Sequence, residues 1–234
     1  MNKILIFTAT YNEAENISEL IKDVFLNYKN VDFLIIDDNS PDLTYEIIEQ
    51  LSFTNKNIIL KKRAKKLGLN TAHIFGYEYA IQNNYEKLIT MDADLSHNPK
   101  EISNIIRLLD DHAFVIGSRY IEGGKNGMTG LRLILSRVGN ISIKYLLNLK
   151  GTEFTSSYRG FNLKKLNNFH FNQVKSQGYS FFMETVFRIN NLGWLSCEFP
   201  INFKQRSSGK SKIPKIEILR TLYNILKIFF RKHF

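Results

Sequence analysis

Cysteine and proline are scarce in this chain, whose 234 residues include one cysteine and four prolines. A single cysteine, Cys197, cannot form a disulfide within the chain, which excludes a small disulfide-held scaffold and suits a reducing compartment. We interpret Cys197 as a small buried apolar residue rather than a nucleophile, because unpaired cysteines are usually buried.

The start of the chain lacks the pattern of a signal peptide, because Lys3 is followed at once by a short strand-like run and then by polar residues. We therefore expect the protein to stay inside the cell. Few prolines and glycines interrupt the sequence and no linker is apparent, so we expect one domain over residues 1–212 and a tail over residues 213–234.

Acidic residues are almost absent from the C-terminal segment. Residues 201–234 hold nine lysines and arginines against one acid, Glu217, so this segment carries +8 of the formal net charge of +10. A basic excess confined to one terminal segment favours anionic lipid head groups or a phosphate ligand, and it argues against a nucleic-acid partner.

In the rest of the sequence, short apolar runs alternate with segments whose apolar residues recur at helical spacing. The predicted strands cover residues 3–10, 32–38, 57–60, 87–91 and 113–117, with amphipathic helices between them. Strands that alternate with helices pair in parallel, so the sequence predicts a Rossmann-like α/β fold with a mostly parallel sheet. The glycine-rich motifs GxGxxG and GxxxxGK[ST] are missing, which disfavours dinucleotide redox chemistry and excludes a P-loop.

Carboxylates follow three of the predicted strands, as Glu13, Asp38 and the pair Asp92 and Asp94. Ligands of open α/β sheets bind beyond the carboxyl ends of the strands. In an extended chain residues i and i+2 point the same way, so Asp92 and Asp94 could both face one hard cation, with the small Ala93 between them. The pattern predicts a metal and diphosphate site, and the alternative is a solvated turn.

Several short motifs occur in the order and spacing of one enzyme family. They are ATYNE (9–13), DDNSPD (37–42), DADLSHNP (92–99), GSRY (117–120), LSR (135–137), TSSYR (155–159), GYSFFME (178–184) and FKQRSSGKSK (203–212). On these motifs the sequence resembles the polyprenyl-phosphate glycosyltransferases, and the dolichol-phosphate mannose synthases in particular. The resemblance covers almost the whole chain and implies an A-type glycosyltransferase fold.

The resemblance also implies roles for individual residues. Donor binding is assigned to Ala9, Tyr11, Glu13, Ile36, Asp38, Asp92, Ala93 and Ser96. A divalent cation, Mg²⁺ or Mn²⁺, is assigned to Asp92, Asp94 and Ser96. The catalytic residues that it implies are Asp94, Arg119, Arg206 and Lys212.

The sequence departs from the family pattern at three places. Ala9 stands where the family has proline, and Asn70 stands where a glycine is common. Glu153, with Ser156 or Ser157, replaces the usual aspartate and glycine of residues 153–159, which we call the acceptor loop.

The expected acceptor is a lipid monophosphate, which is already anionic, so its enzyme needs cations rather than a general base. The C-terminal half accumulates them, as Arg119, Arg137, Arg159, Arg206, Lys210 and Lys212. For Lys210 we favour a solvated surface charge, and for Arg159 a solvated surface charge is the alternative.

We therefore expect inverting transfer of a hexose, with mannose favoured, from GDP-mannose or a UDP-hexose to dolichyl or undecaprenyl monophosphate. One alternative is a UDP-hexose-dependent glycosyltransferase of cell-surface polysaccharide synthesis. Another is a non-catalytic, membrane-associated protein that binds nucleotide sugars.

The pattern of the tail from Lys215 onward predicts an amphipathic helix, with charged and polar residues along one side and apolar residues on the other. About 20 residues interrupted by charges cannot span a bilayer. We therefore expect a peripheral protein whose helix lies at the cytoplasmic face of a membrane. The alternative is a helix packed against the domain or against a small membrane-protein partner.

Four more residues carry expectations. His97 is as well explained by a capping or solvated loop histidine as by a ligand. Glu184, in an otherwise apolar helix, predicts a polar partner inside the protein, such as an acceptor-loop arginine or a sugar hydroxyl. We expect Trp194 and Phe199 to pack against the sheet.

Overall fold

The computed structural model describes residues 3–204 and 216–233 of the chain. The described part contains nine strands, seven α-helices and two short 3-10 helices. In chain order they are β1 (Ile4–Thr10), α1 (Ile17–Asn27), β2 (Asp32–Asp37), α2 (Thr44–Thr54), β3 (Ile58–Lys62), α3 (Leu69–Gln82), β4 (Lys87–Thr90), a 3-10 helix (Pro99–Glu101), α4 (Ile102–Asp111), β5 (Phe114–Ser118), β6 (Lys125–Asn126), α5 (Gly130–Leu146), β7 (Arg159–Asn162), a second 3-10 helix (Phe171–Gln173), α6 (Tyr179–Asn191), β8 (Ser196–Pro200), β9 (Asn202–Phe203) and α7 (Ile216–His233).

Seven strands form the central sheet in the order β3-β2-β1-β4-β7-β5-β8. All neighbouring pairs are parallel except the two pairs that include β7. The predicted α/β fold with a mostly parallel sheet is confirmed. Each predicted strand matches an observed strand to within two residues at either end. The match reflects β-branched and aromatic runs that are apolar enough to be buried on both faces of a parallel sheet.

Helices cover both faces of this sheet. Alternating residues of a strand point to opposite faces, so Phe7 and Leu34 belong to the core that includes α3 and α6, while Ile6 and Phe33 belong to the core that includes α1, α2 and α4. All four side chains are fully buried. The two cores hold the parallel strands rigidly, so the loops that leave their carboxyl ends start from fixed positions.

The short strand β7 runs antiparallel between β4 and β5, and the sequence did not predict it. It places Gly160 directly beneath α4, where a Cβ would lie 2.2 Å from Cγ2 of Ile105 and 2.9 Å from Cδ1 of Leu109. Only a residue without a side chain lets α4 approach the strand this closely.

The predicted C-terminal helix is present as α7, and it contacts α5 and α6. Its Ile225 and Ile228 are 1% and 6% exposed and join the same core as Phe181 of α6. The part of the chain that the structure describes has no helix with both the length and the apolarity needed to cross a membrane.

We predict that Gly160→Ala destabilises the fold by about 3 kcal/mol, because the added methyl group overpacks the contact with α4. Urea denaturation of wild type and variant measures the difference. The matched control is Gly139→Ala in α5, where nothing but the adjacent backbone of its own helix lies within 4 Å of the new Cβ. This control should cost nothing or add up to about 1 kcal/mol of helix stability. Equal stabilities for the two variants would contradict the packing argument.

Candidate functional site

The carboxyl ends of β1, β2 and β4 meet at one edge of the sheet. The parallel register pairs Thr10 with Asp37 and Phe7 with Thr90, so the loops after these strands leave side by side. Residues 11–13, Asp38 and residues 92–94 therefore lie along the same edge, as the sequence predicts.

Adjacent carboxylates at the end of β2 have different surroundings. Asp37 is fully buried and accepts hydrogen bonds from the hydroxyls of Thr10 and Ser40, at 2.9 and 2.6 Å, so it fixes the turn. Asp38 forms an ion pair with Arg63. Burial raises the pKa of Asp38 above its ordinary value, and the Arg63 guanidinium offsets only part of that effect.

The basic run KKRAKK (61–66), which begins in the last two residues of β3, supplies two contacts at this edge that sequence reasoning missed. Arg63 pairs with Asp38 and also donates to the hydroxyl of Thr71 at 2.6 Å. Lys66 lies over the ring of Tyr11, with its Nζ 3.9 Å from the ring centroid. The signal was the position of these basic residues directly after a strand.

The other residues that the resemblance assigns to the donor differ in exposure. Tyr11 and Glu13 are partly exposed on the loop after β1, where the Glu13 amide donates to the hydroxyl of Thr44 at 2.9 Å. Ala9 is partly buried in β1 opposite Ile36, which is fully buried in the core.

The segment after β4 bends, and the prediction of an extended Asp92–Asp94 step is wrong. The strand ends at Thr90, residues 93–95 form a bend, and Leu95 adopts a left-handed φ of 61°. Asp94 is turned inward and is 4% exposed, with its Oδ1 accepting from the Ser96 hydroxyl at 2.5 Å and from the Ser96 amide at 3.1 Å. Local hydrogen bonds of this kind compete with an extended backbone.

Asp92 remains partly exposed and is held at two points. Its Oδ1 accepts a hydrogen bond from the hydroxyl of Ser157 at 2.6 Å, and its amide donates to Nδ1 of His97 at 3.1 Å. Ala93, next to it, is buried.

The interpretation of His97 as a solvated histidine is wrong, because its side chain is 1% exposed. The ring stacks on Tyr158 with centroids 4.7 Å apart and meets the edge of Phe203 at 5.6 Å. Burial lowers the pKa of His97, and the carboxylates of Asp92 and Asp94 offset only part of that effect. The imidazole is therefore neutral and can accept the Asp92 amide proton.

Arg119 is bound face to face with Glu153. Nε and Nη2 of Arg119 donate to the two carboxylate oxygens at 2.7 and 2.9 Å, and Nη2 also reaches the hydroxyl of Thr155. Burial disfavours the charged form of both side chains, but the attraction between the two charges is stronger. The pKa of Glu153 therefore lies below its ordinary value, and the pKa of Arg119 lies above its ordinary value. The guanidinium of Arg119 also lies 5.2 Å from the ring of Phe203, which contacts His97, so this pair borders the Asp92–His97 segment.

Arg159 is not a surface charge, and its guanidinium does not reach the edge as an accessible cation. The residue is 1% exposed and donates to the backbone carbonyls of Phe154, Ser156 and Phe182 at 2.6 to 2.9 Å. Burial lowers its pKa to about 9, and the Glu153 carboxylate offsets only part of that effect. Arg159 thus fixes the acceptor loop against α6.

The acceptor loop is also tied to α5. The side-chain oxygen of Asn140 accepts a hydrogen bond from the amide of Phe154 at 2.8 Å, and both residues are buried. Arg137, on the same helix, is exposed.

The expected polar partner of Glu184 is present, but it does not come from the acceptor loop or from a sugar. The buried carboxylate accepts from Arg188 of its own helix at 2.8 Å and from the amides of Lys175 and Ser176. The expectation for Phe199 is confirmed, since it is 5% exposed, whereas Trp194 is 38% exposed and does not pack against the sheet.

Asp92, Asp94 and Arg119 are therefore brought near one another, whereas Arg206, Lys210 and Lys212 lie outside the described residues. Within residues 3–204 and 216–233, no group of three or more His, Cys, Asp or Glu side chains is arranged to hold a metal ion. Carboxylate oxygens are nevertheless the donors that Mg²⁺ and Mn²⁺ prefer, so the chemistry of Asp92 and Asp94 fits such an ion.

A family model described as glycosyl transferase family 2 matches residues 5–169. The chain is 31% identical over 226 residues to the polyprenol monophosphomannose synthase of Mycolicibacterium smegmatis, covering 95% of this chain and 85% of the relative. It is also 31% identical to the undecaprenyl-phosphate mannosyltransferase of Micrococcus luteus over 90% of this chain and 87% of that one.

Solved structures share the fold. A mannosyltransferase of Pyrobaculum calidifontis in complex with GDP-Man and Mn²⁺ superposes with a TM-score of 0.61 at 14% identity, over 98% of this chain and 64% of that one. The glucosyl-3-phosphoglycerate synthase of Mycobacterium tuberculosis, in complex with Mn²⁺ and UDP, gives 0.63 at 15% identity, over 98% and 80%. These structures establish the A-type glycosyltransferase fold of the chain.

We predict that Glu153→Gln destabilises the protein by on the order of 3 kcal/mol at neutral pH, because it leaves the buried Arg119 charge without its counterion. The matched control is Glu86→Gln, which removes the pair between the partly exposed Glu86 and the exposed Lys164 and should cost less than about 1 kcal/mol.

The pH dependence follows from the lowered pKa of Glu153. The wild type is more stable than the variant at pH values above 4.5, the ordinary pKa of a glutamate side chain. This advantage is lost as the pH falls through the lower pKa that Glu153 has in the folded protein. Urea denaturation of both proteins across this range measures the difference. A difference that grows as the pH falls would contradict the assignment.

Proposed function

This chain belongs to glycosyl transferase family 2, and from that premise we propose that it transfers mannose from a nucleotide sugar to a polyprenyl monophosphate. The observation that carries the proposal is the similarity over at least 90% of the chain to two relatives named as enzymes of this reaction. The pair Asp92 and Asp94, at the sheet edge where ligands of such folds bind, agrees with it.

The donor is proposed to lie along the carboxyl edge of the sheet. Tyr11, Glu13 and Asp38 line the part that suits the nucleoside, GDP or UDP, and residues 92–96 line the part that suits the diphosphate. Mannose is favoured as the sugar because both relatives bear the name of a mannosyl transfer enzyme.

A divalent cation, Mg²⁺ or Mn²⁺, would be held by Asp92 and Asp94 together with oxygens of the donor. Its chemistry is to screen the diphosphate and to stabilise the negative charge of the leaving nucleoside diphosphate. Ser96 contributes by orienting Asp94, since its hydroxyl donates to that carboxylate. That Ser96 also contacts the ion remains a prediction.

The acceptor phosphate needs positive charge that is not already neutralised. Arg119 is paired with Glu153 and Arg159 is buried among carbonyls, so neither offers a free charge. We therefore assign attraction of the acceptor to Arg206 and Lys212, which lie outside the described residues. Arg119 instead shapes the site by fixing Glu153.

A face of α5 and α7 supports binding to the cytoplasmic surface of a membrane. Its exposed apolar residues are Leu131, Ile134, Leu135, Val138, Ile141 and Tyr145 on α5, with Tyr223, Leu226 and Phe230 on α7. The exposed basic residues of these helices are Arg132, Arg137, Arg220 and Lys227. Apolar area flanked by basic residues is the composition that binds anionic lipid surfaces.

The position of the α7 residues refines the predicted tail. Because Ile225 and Ile228 are buried in the domain, the side of α7 that carries them is not available to lipid. We therefore propose that α5, rather than the tail alone, supplies most of the apolar area, and that α7 (Ile216–His233), within the predicted tail, packs on the domain through Ile225 and Ile228.

We predict that Asp94→Asn lowers mannose transfer at least about a hundredfold, because removal of one carboxylate charge weakens the cation that stabilises the leaving group. The assay supplies GDP-mannose or UDP-hexoses with a short polyprenyl phosphate and identifies the glycolipid product. Asp111→Asn, at the exposed C-terminal end of α4, is the matched control and should keep full activity. Product formation in excess chelator would refute the metal assignment, and donor binding without any product would favour the non-catalytic alternative.

We also predict that the full-length protein floats with anionic vesicles and that the double variant Ile134→Glu, Val138→Glu does not. Two charges placed on the α5 face oppose its burial in the lipid interface. The control is Leu26→Glu, Phe53→Glu, which changes two residues of α1 and α2 that are 71% and 69% exposed. High salt should weaken flotation of the wild type. Loss of flotation in both variants would rule out α5 as the specific docking face.

A further inference from the structure

The hydroxyl of Ser157 donates a hydrogen bond to the carboxylate of Asp92 at 2.6 Å. We propose that Ser157 is a positioning residue that holds Asp92 in the orientation needed to bind the divalent cation. The inference rests on the proposed function, because it concerns the same cation.

Strand β7 brings Ser157 to this position. The antiparallel register pairs Thr90 with Arg159, so that two residues further along Asp92 stands opposite Ser157. The hydroxyl of Thr90 donates to the carbonyl of Ser157 at 2.5 Å, and the hydroxyl of Ser157 donates to the carboxylate of Asp92 at 2.6 Å. The two strands thus hold Ser157 through its backbone and leave its hydroxyl for Asp92.

The contact with Ser157 fixes one carboxylate oxygen of Asp92, Oδ1, and does not involve the other, Oδ2. Oδ1 accepts the hydroxyl of Ser157, while the nearest cationic or imidazole nitrogen to Oδ2 within residues 3–204 and 216–233 is Nδ1 of His97, at 3.9 Å. The Asp92 amide is bonded to that same histidine, so both the backbone and the carboxylate are held. Oδ2 is therefore the oxygen of Asp92 that we assign to the cation.

Ser96 and Ser157 act alike on the two carboxylates. Ser96 donates to Oδ1 of Asp94 from within the same bend, and Ser157 donates to Oδ1 of Asp92 from across the sheet. Ser157 is 5% exposed, so the bond is shielded from competing water. A glycine at this position would have no atom that could make the second bond.

A carboxylate held in its binding orientation loses less freedom when it takes up a cation. Removal of a residue that orients a metal ligand typically weakens metal binding about 10- to 100-fold. We expect Ser157→Ala and Ser157→Gly to raise the dissociation constant of Mn²⁺ about tenfold in the presence of GDP or UDP. The effect on the rate should disappear at saturating Mn²⁺.

The test titrates Mn²⁺ into the full-length protein with the nucleoside diphosphate present and follows the free ion by electron paramagnetic resonance, without any turnover. Ser156→Ala is the matched control, because the Ser156 hydroxyl accepts from the amide of Tyr158 and does not contact Asp92. It should bind Mn²⁺ as the wild type does. Thermal unfolding without metal compares the stability of the three variants.

Mn²⁺ binding that is unchanged or tighter in both Ser157 variants would overturn the inference, as would equal weakening in Ser156→Ala. If the alanine variant fails to fold, the glycine variant gives the same readout. Failure of the proposed function is distinguished by Asp94→Asn, which would then bind Mn²⁺ and turn over like the wild type whatever the result for Ser157.

Discussion

The antiparallel pairing of β7 with β4 is the constraint on which the site depends. Parallel strands alone bring the loops after β1, β2 and β4 to one edge, but they leave the acceptor loop elsewhere in the chain. Because β7 enters the sheet in the opposite direction, the residues that precede it meet the residues that follow β4. The close fit of α4 over Gly160 is what allows this strand to remain in the sheet.

Buried charge then makes the acceptor loop rigid. Glu153 and Arg159 are both almost inaccessible to water, and each is tolerated because its hydrogen bonds are met, by Arg119 and Thr155 in one case and by three carbonyls in the other. An unpaired charge in such a place costs several kcal/mol, so these contacts permit few alternative loop conformations. The same network explains why neither arginine offers a free charge to a phosphate.

The sequence predicted the parts of the structure that depend on apolar periodicity. The strands ending near Thr10, Asp37 and Thr90 are long apolar runs, and their positions and trailing acids followed directly. Strand β7, with the sequence RGFN, contains no such run, and its formation depends on partners far along the chain. For the same reason sequence reasoning could not distinguish a buried arginine from a solvated one, nor anticipate that Ser96 would bend the segment after β4.

The hydrogen bond between Asn140 and the amide of Phe154 fixes the distance between helix α5 and the acceptor loop. It joins the helix that carries the exposed apolar face to the loop whose Ser157 holds Asp92. With lipid against α5, the height of the reaction centre above the head groups is set by this short, buried connection rather than by a hinge. Under the proposed docking, an acceptor phosphate at the head-group level would meet the sugar at a fixed depth, and the length of its hydrocarbon chain would matter little to the fit.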